Sequence, residues 1–205
     1  MKYQDLVIKD GKFIGEFEEL YEKFDNPWNQ ENEIYSSSIS RRAVCHFIER
    51  LEINSIIEWG CGLGATSNFI KRNTNKEIRI TGIDVSETAI KKAKAKYKDI
   101  EFITDDISNI ASYKKYDCVF FSEITWYLLE NKILDNCLTS MQNLSNKPYY
   151  FFHQLSFYKD GIQKYGKNYF SNLSQFIDFC PFELTAKVEC EFEDGIDTLA
   201  IFKVL

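Results

Sequence analysis

The chain has 205 residues, 44% of them hydrophobic and 16% aromatic, and a formal net charge of −6. That composition argues for an ordered globular chain over a disordered one, and the length is enough to bury one full core. The acidic balance argues against a phosphate-backbone partner, whose affinity rests on clustered Lys and Arg, so no nucleic acid is expected. The six cysteines (Cys45, Cys61, Cys118, Cys137, Cys180 and Cys190) show no C-x-x-C spacing. Neither a disulfide framework nor a zinc site is expected from them. A charged leader and a bilayer-length apolar run are both missing, which predicts a cytoplasmic protein without a membrane partner.

Residues 1–38 read as an N-terminal appendage and residues 39–205 as the main domain. In the appendage, Leu6-Val7-Ile8 and Phe13-Ile14 flank Asp10-Gly11, a hairpin signal. A helix is predicted over Phe17–Phe24, then a turn at Asp25-Asn-Pro-Trp28 that carries an aromatic side chain. A helix through Ala43, Val44, Phe47, Ile48 and Leu51 follows. From there strands alternate with helices. Strands are predicted at Ser55–Trp59, Ile78–Ile83, Glu101–Thr104, Asp117–Phe121 and Tyr149–His153. Helices are predicted at Thr66–Lys71, Glu87–Tyr97, Asn131–Leu144 and Asn172–Phe179. Short apolar strands between amphipathic helices imply a mostly parallel sheet covered on both faces. Val188–Phe192 and Thr198–Val204, joined by Glu-Asp-Gly, close it as an antiparallel hairpin.

The segment Glu58-Trp-Gly-Cys-Gly-Leu-Gly64 compresses a strand tip, a tight turn and a helix start. Such a turn lets the backbone approach an adenosine cofactor, and its plainer reading is a tight strand-to-helix connection. Gly82-Ile-Asp84 ends the second strand about 20 residues on, the distance at which a carboxylate reaches a ribose diol. Asp84 also suits the entry to the next helix, which Ser86 can cap. Thr104-Asp-Asp106 ends the third strand. Three acidic strand tips therefore meet at the carboxyl edge, where ligands of open α/β sheets bind. NAD is the competing cofactor, but its fingerprint G-x-G-x-x-G places the third glycine one residue later.

Four stretches resemble the successive motifs of class I S-adenosylmethionine-dependent methyltransferases. They are Glu58–Gly64, Gly82-Ile-Asp84-Val85-Ser86, Phe102–Asp106 and Tyr116-Asp-Cys-Val-Phe-Phe-Ser-Glu123. The resemblance covers about residues 38–205 and implies a Rossmann-like seven-stranded sandwich. Asp25-Asn-Pro-Trp28 and Ser122-Glu123 are similar to the small bacterial nodulation-type amino-sugar methyltransferases, with Asn26 interrupting that subgroup's Asp-Pro-Trp. The Gly-Gly common before the fifth strand is replaced by Asn146-Lys147-Pro148.

The resemblance implies S-adenosyl-L-methionine as cofactor. Gly60, Cys61, Gly62 and Gly64 would form the turn around its amino-acid portion, supported by Glu58. Asp84, followed by Val85, would take the ribose hydroxyls. Asp106 would face the adenine amine, with Ile107 beside the ring, and Ser122 would lie near the methionine portion. Trp28 and Tyr35 would belong to a lid over the cofactor, or Trp28 pins the N-terminal segment to the core; Trp126 and Tyr127 read as partly core, with one of them able to wall the pocket.

Acceptor chemistry points to the tips of the fourth and fifth strands. Candidate bases are His153, at the end of its strand, and Glu123. Their plainer readings are a hydrogen-bonded strand-end histidine and a helix-starting glutamate. His46, among apolar helix positions, reads as structural. The strand tips lack the clustered ligands of a divalent metal, so a metal-independent reaction is expected. Tyr158, Lys159, Lys164, Tyr165, Lys167 and Tyr169 suit a sugar-like or nucleotide- or phosphate-linked small-molecule acceptor, or form a solvated basic loop. The expected activity is methyl transfer to a hydroxyl or amine of such a metabolite. A non-catalytic cofactor-binding partner subunit and an RNA methyltransferase are the other readings.

Overall fold

The computed structural model describes residues 2–9, 12–30, 37–143, 149–162, 170–193 and 195–204. Seven strands form one sheet: β3 (Ser55–Trp59), β4 (Arg79–Asp84), β5 (Glu101–Thr104), β6 (Cys118–Ser122), β7 (Tyr149–Tyr158), β8 (Glu183–Glu191) and β9 (Gly195–Val204). Their order is β5-β4-β3-β6-β7-β9-β8. β9 is antiparallel to both its neighbours, and the other six strands run the same way. The final strand thus lies inside the sheet, and its hairpin partner β8 forms the edge.

Alternation along the strands divides the core between two faces. Ile57, Trp59, Val119, Phe121, Phe151 and Phe202 face one layer of helices, with α5 (Ile133–Gln142) and α6 (Leu173–Phe179). Ile56, Phe120, Phe152 and Ile201 face the other, formed by α2 (Ile39–Arg50), α3 (Ala65–Asn73) and α4 (Glu87–Lys96). Apolar residues at both odd and even positions explain why these strands read as unbroken hydrophobic runs. Helix starts follow their side chains: Ser38, Ser86 and Asn172 accept from the backbone N–H three residues on.

β7 is the main departure from the sequence reading. It runs to Tyr158, five residues beyond His153, because all ten of its residues pair with β9 from Val204 back to Gly195. Gln154-Leu-Ser-Phe-Tyr158 carries no strand signal beyond its aromatics, and its partner lies far away in sequence. At the N-terminus the expected hairpin forms in shortened form, because Leu6 of its first arm belongs to a 3-10 turn over Tyr3–Leu6. Only Ile8–Lys9 (β1) and Lys12–Phe13 (β2) pair. Asp10-Gly11, Tyr35, Asn146–Pro148 and the Lys164–Tyr169 stretch lie outside the described residues. No helix among the described residues is long and apolar enough to cross a membrane.

Candidate active site

The carboxyl ends of β3, β4, β5 and β6 surround a cavity of about 400 Å³. Gly60, Asp84, Val85, Asp106, Ile107, Ser122, Glu123 and Trp28 all line it, so eight of the sequence-nominated residues converge on one space.

The glycine turn is shaped by left-handed backbone at Gly60 (φ 70°) and Gly62 (φ 52°), which side chains resist. A Cβ at Gly60 would lie 2.3 Å from the Ile124 methyl, and one at Gly62 would lie 2.5 Å from the Tyr21 hydroxyl. Asp84 holds this turn to the start of α4. One carboxylate oxygen accepts from the Gly62 N–H at 2.8 Å and the other from the Ser86 N–H at 2.9 Å. Burial pushes the Asp84 carboxyl up to about 6 against these bonds. Glu58, Cys61, Gly62 and Gly64 do not line the cavity. Glu58 sits beneath it, buried, and accepts from the Ser67 hydroxyl of α3 while burial raises its carboxyl to about 7.

At the tip of β5 the two aspartates divide their work. Asp105 is engaged by the Tyr113 hydroxyl (2.6 Å) and Asn109 amide (2.7 Å), and the tyrosine bond holds its carboxyl below the usual range. Asp106 is exposed, and one of its oxygens caps the following 3-10 turn through the Ser108 N–H at 2.8 Å. Ser122 is buried and donates to Gln154 at 3.0 Å, and Gln154 donates to Ser40 at 2.6 Å.

Glu123 has positive φ (60°), rare for a residue bearing a side chain, as the chain leaves β6. Such strain persists where surrounding contacts fix it. Here the carboxylate accepts from the Ser156 N–H (3.1 Å) and hydroxyl (2.7 Å) of β7. Burial raises its carboxyl to about 7, opposed by those bonds and by Arg41, and reinforced by Asp197.

His153 is placed differently from the expectation of a strand-end base. It is mid-strand, fully buried and absent from the cavity wall. Its ring stacks on Phe176 of α6 at 3.5 Å, and Nε2 bonds the Thr125 hydroxyl at 2.7 Å. Burial lowers its pKa to about 3, so the imidazole is neutral across ordinary pH. The odd-numbered face of β7 points into the core, and the sequence reading ended that strand too early.

The unfolded imidazole takes a proton near 6.5, whereas the folded one stays neutral down to about 3. The neutral-ring contribution to stability is therefore complete above pH 6.5 and lost as pH falls toward 3. Glu58, Asp84 and Glu123, with raised folded values, act in the opposite sense between their usual and raised pKa values. In urea unfolding at stepped pH, His153→Phe should lose up to about 1.4 kcal/mol per pH unit of slope in that window. An unchanged pH dependence would show that His153 is not the group responsible.

Several cavity residues were not nominated from sequence: Tyr21, Phe13, Phe17 and Trp59, whereas Trp126 and Tyr127, read as core or pocket wall, both line it. Trp28 donates to the Tyr21 hydroxyl at 2.9 Å, and Tyr127 packs against Phe13, Phe17 and Trp28 with centroids 5.4–5.8 Å apart. The helix α1 (Phe17–Lys23) is latched to α4 by Glu18, which accepts from the Ser86 and Thr88 hydroxyls at 2.6 and 2.5 Å. Lys92 adds a bond to the Tyr21 carbonyl at 2.8 Å. Sequence showed that α1 exists, but not which of its faces meets the Asp84 loop. Glu18→Ala should speed amide exchange of α1 roughly tenfold while β3 and β4 stay protected. Equal protection in both proteins would mean that Glu18 is no latch.

Residues 56–147 match the model of a methyltransferase domain family. The chain is 31% identical over 114 residues to malonyl-[acyl-carrier protein] O-methyltransferase 1 of Ilyobacter polytropus, covering 50% of this chain and 42% of that protein. The matched segments span between 32% and 42% of the curated relatives' own lengths. Among solved structures, the N-methyltransferase NodS of Bradyrhizobium japonicum, in complex with S-adenosyl-L-homocysteine, superposes with a TM-score of 0.68 at 16% identity, covering 91% of this chain and 97% of that one. Magnesium protoporphyrin IX methyltransferase of Synechocystis, with bound S-adenosylmethionine, superposes with a TM-score of 0.60 at 13% identity, covering 98% and 89%. The family match thus takes in just under half of the chain, and the described residues share the fold of the nodulation-type N-methyltransferase. S-adenosyl-L-methionine, bound in the Synechocystis structure, is the cofactor that this likeness implies.

The residues present fit that cofactor. Gly60 brings bare backbone to the cavity wall, where Ile124 leaves no room for a side chain. Carboxylates suit a nucleoside with two free hydroxyls and an exocyclic amine. The buried Trp59 indole N–H, in the cavity wall, has no hydrogen-bond partner among the described residues.

Proposed function

We propose that the chain transfers a methyl group from S-adenosylmethionine to a hydroxyl or amine of a small molecule. The observation that carries this reading is the cavity in which Asp84, Asp106 and Glu123 meet beside the glycine turn. Asp84 takes the ribose hydroxyls, Asp106 faces the adenine amine and Ile107 lies along the ring. Gly60 and Ser122 adjoin the methionine portion, and Gly62 and Gly64 shape the turn while Glu58 braces it from below. The bound cofactor supplies a methyl group activated by a cationic sulfur.

The remaining work belongs to side chains. Residues 1–38 act as a lid over the main domain, with Tyr21, Trp28 and Tyr127 excluding water from the reacting centre. Glu123 orients the acceptor and takes its proton, as a carboxyl with a pKa near neutrality can. His153 keeps its neutral ring in the core and is given no proton to carry. No step is routed through a metal. Of the loop residues that suit a sugar-like or phosphate-linked acceptor, Lys159 pairs with Glu191 at 3.7 Å. The other lysines of that loop lie outside the described residues.

The test is release of S-adenosylhomocysteine from S-adenosylmethionine in the presence of pooled small amines and alcohols. Acceptor-dependent release is expected. Cofactor binding with no release from any pool would favour a non-catalytic subunit.

A further inference from the structure

A second cavity, of about 310 Å³, adjoins the first, and Trp28, Glu123, Trp126 and Tyr127 line both. The remainder of its described wall comes from the N-terminal segment, from the end of β7 and from the β8–β9 turn, with Phe157 and Tyr158 prominent. Among those described residues Glu123 is the one carboxylate, and no Lys, Arg or His is present. The positive φ of Glu123 and its two bonds to Ser156 hold that carboxylate at the junction. Trp126 meets Phe157 edge to face at 5.8 Å.

We propose that this second cavity binds the methyl acceptor and selects an apolar, aromatic-bearing amine, with its nitrogen on Glu123. This rests on the methyltransferase reading above and names its substrate class. Aromatic faces attract a cationic nitrogen, and a carboxylate beside them adds charge pairing and a hydrogen-bond acceptor. A phosphate would meet a carboxylate with no cation in the described wall to offset it. A sugar would leave most of its hydroxyls facing rings and lose hydrogen bonds to water. An aromatic body matches the wall, and one amine matches its one charge. The proton step balances within the pair. An N–H of the ammonium gives its proton to a Glu123 oxygen, the electron pair stays on nitrogen as the nucleophilic lone pair, and Glu123 later returns the proton to solvent.

The test is calorimetric titration of the full chain, first saturated with S-adenosylhomocysteine, using four probes: 2-phenylethylamine, 2-phenylethanol, phenyl phosphate and glucosamine. The amine should bind roughly tenfold or more tighter than the other three. Glu123→Gln should remove most of that preference, and Trp126→Ala, shown to be folded by thermal unfolding because this ring packs on the core at Phe157, should weaken the amine. Equal or tighter binding of phenyl phosphate or glucosamine overturns the inference. So does unchanged amine affinity in Glu123→Gln, or failure of every probe to bind. Failure of S-adenosylhomocysteine itself to bind would overturn the methyltransferase reading, and this inference with it.

Discussion

Asp84→Ala should weaken S-adenosylhomocysteine binding roughly a hundredfold, the effect of losing hydrogen bonds to one charged group. The carboxylate already accepts from the N–H groups of Gly62 and Ser86. A carboxylate offers about four acceptor sites, so two remain for a ribose diol. Its removal therefore acts twice, taking away the ligand's acceptor and freeing a turn whose left-handed backbone it helps to hold. Asp84→Asn keeps the shape and one acceptor oxygen, and should fall between alanine and wild type. Calorimetry measures the affinity, and thermal unfolding shows that each variant is folded. Near-wild-type affinity in a folded Asp84→Ala protein would remove this residue from the cofactor site.

Glu123→Gln should lower single-turnover methyl transfer roughly a hundredfold or more, the range for loss of a general base, while cofactor affinity changes little. The amide preserves the volume and can still meet the Ser156 hydroxyl, but it cannot take a proton. The pH profile separates this role from a packing role. Glu123 faces Ser156 of β7, Asp197 of β9 raises its carboxyl and Arg41 of α2 lowers it. With its carboxyl near 7, wild-type transfer should rise as pH climbs through neutrality, where the base becomes ionised. The limb assigned to Glu123 should vanish in the variant. An unchanged rate and profile would leave Glu123 as a structural link between β6 and β7.

The parts of the fold legible from sequence are those written in local pattern. The apolar runs at Ser55–Trp59 and Glu101–Thr104 match β3 and β5 residue for residue. The strand-tip residues Asp84 and Asp106 reach the expected crevice because parallel strands bring their carboxyl ends to one edge. What was not legible depends on partners distant in sequence. The second half of β7 exists because β9 pairs along its whole length, and that extension moved His153 from a strand tip into the core. Helix α1 showed its apolar spacing, but only tertiary packing reveals that Glu18 closes on Ser86 and Thr88. Tyr127 read as core or pocket wall, and only its stacking on Phe13 reveals that its ring joins the lid to the cavity. Glu123 was nominated from sequence, but its positive φ and its place between two cavities were not.

The central claim is that S-adenosylmethionine lies between the glycine turn and the tips of β4 and β5. A crystal structure of the chain grown with S-adenosylhomocysteine tests it most directly. The account predicts the nucleoside in the first cavity, with its ribose hydroxyls on Asp84 and its adenine beside Asp106 and Ile107. Binding elsewhere, or a first cavity filled by a different part of the chain with Asp84 out of reach, would contradict it.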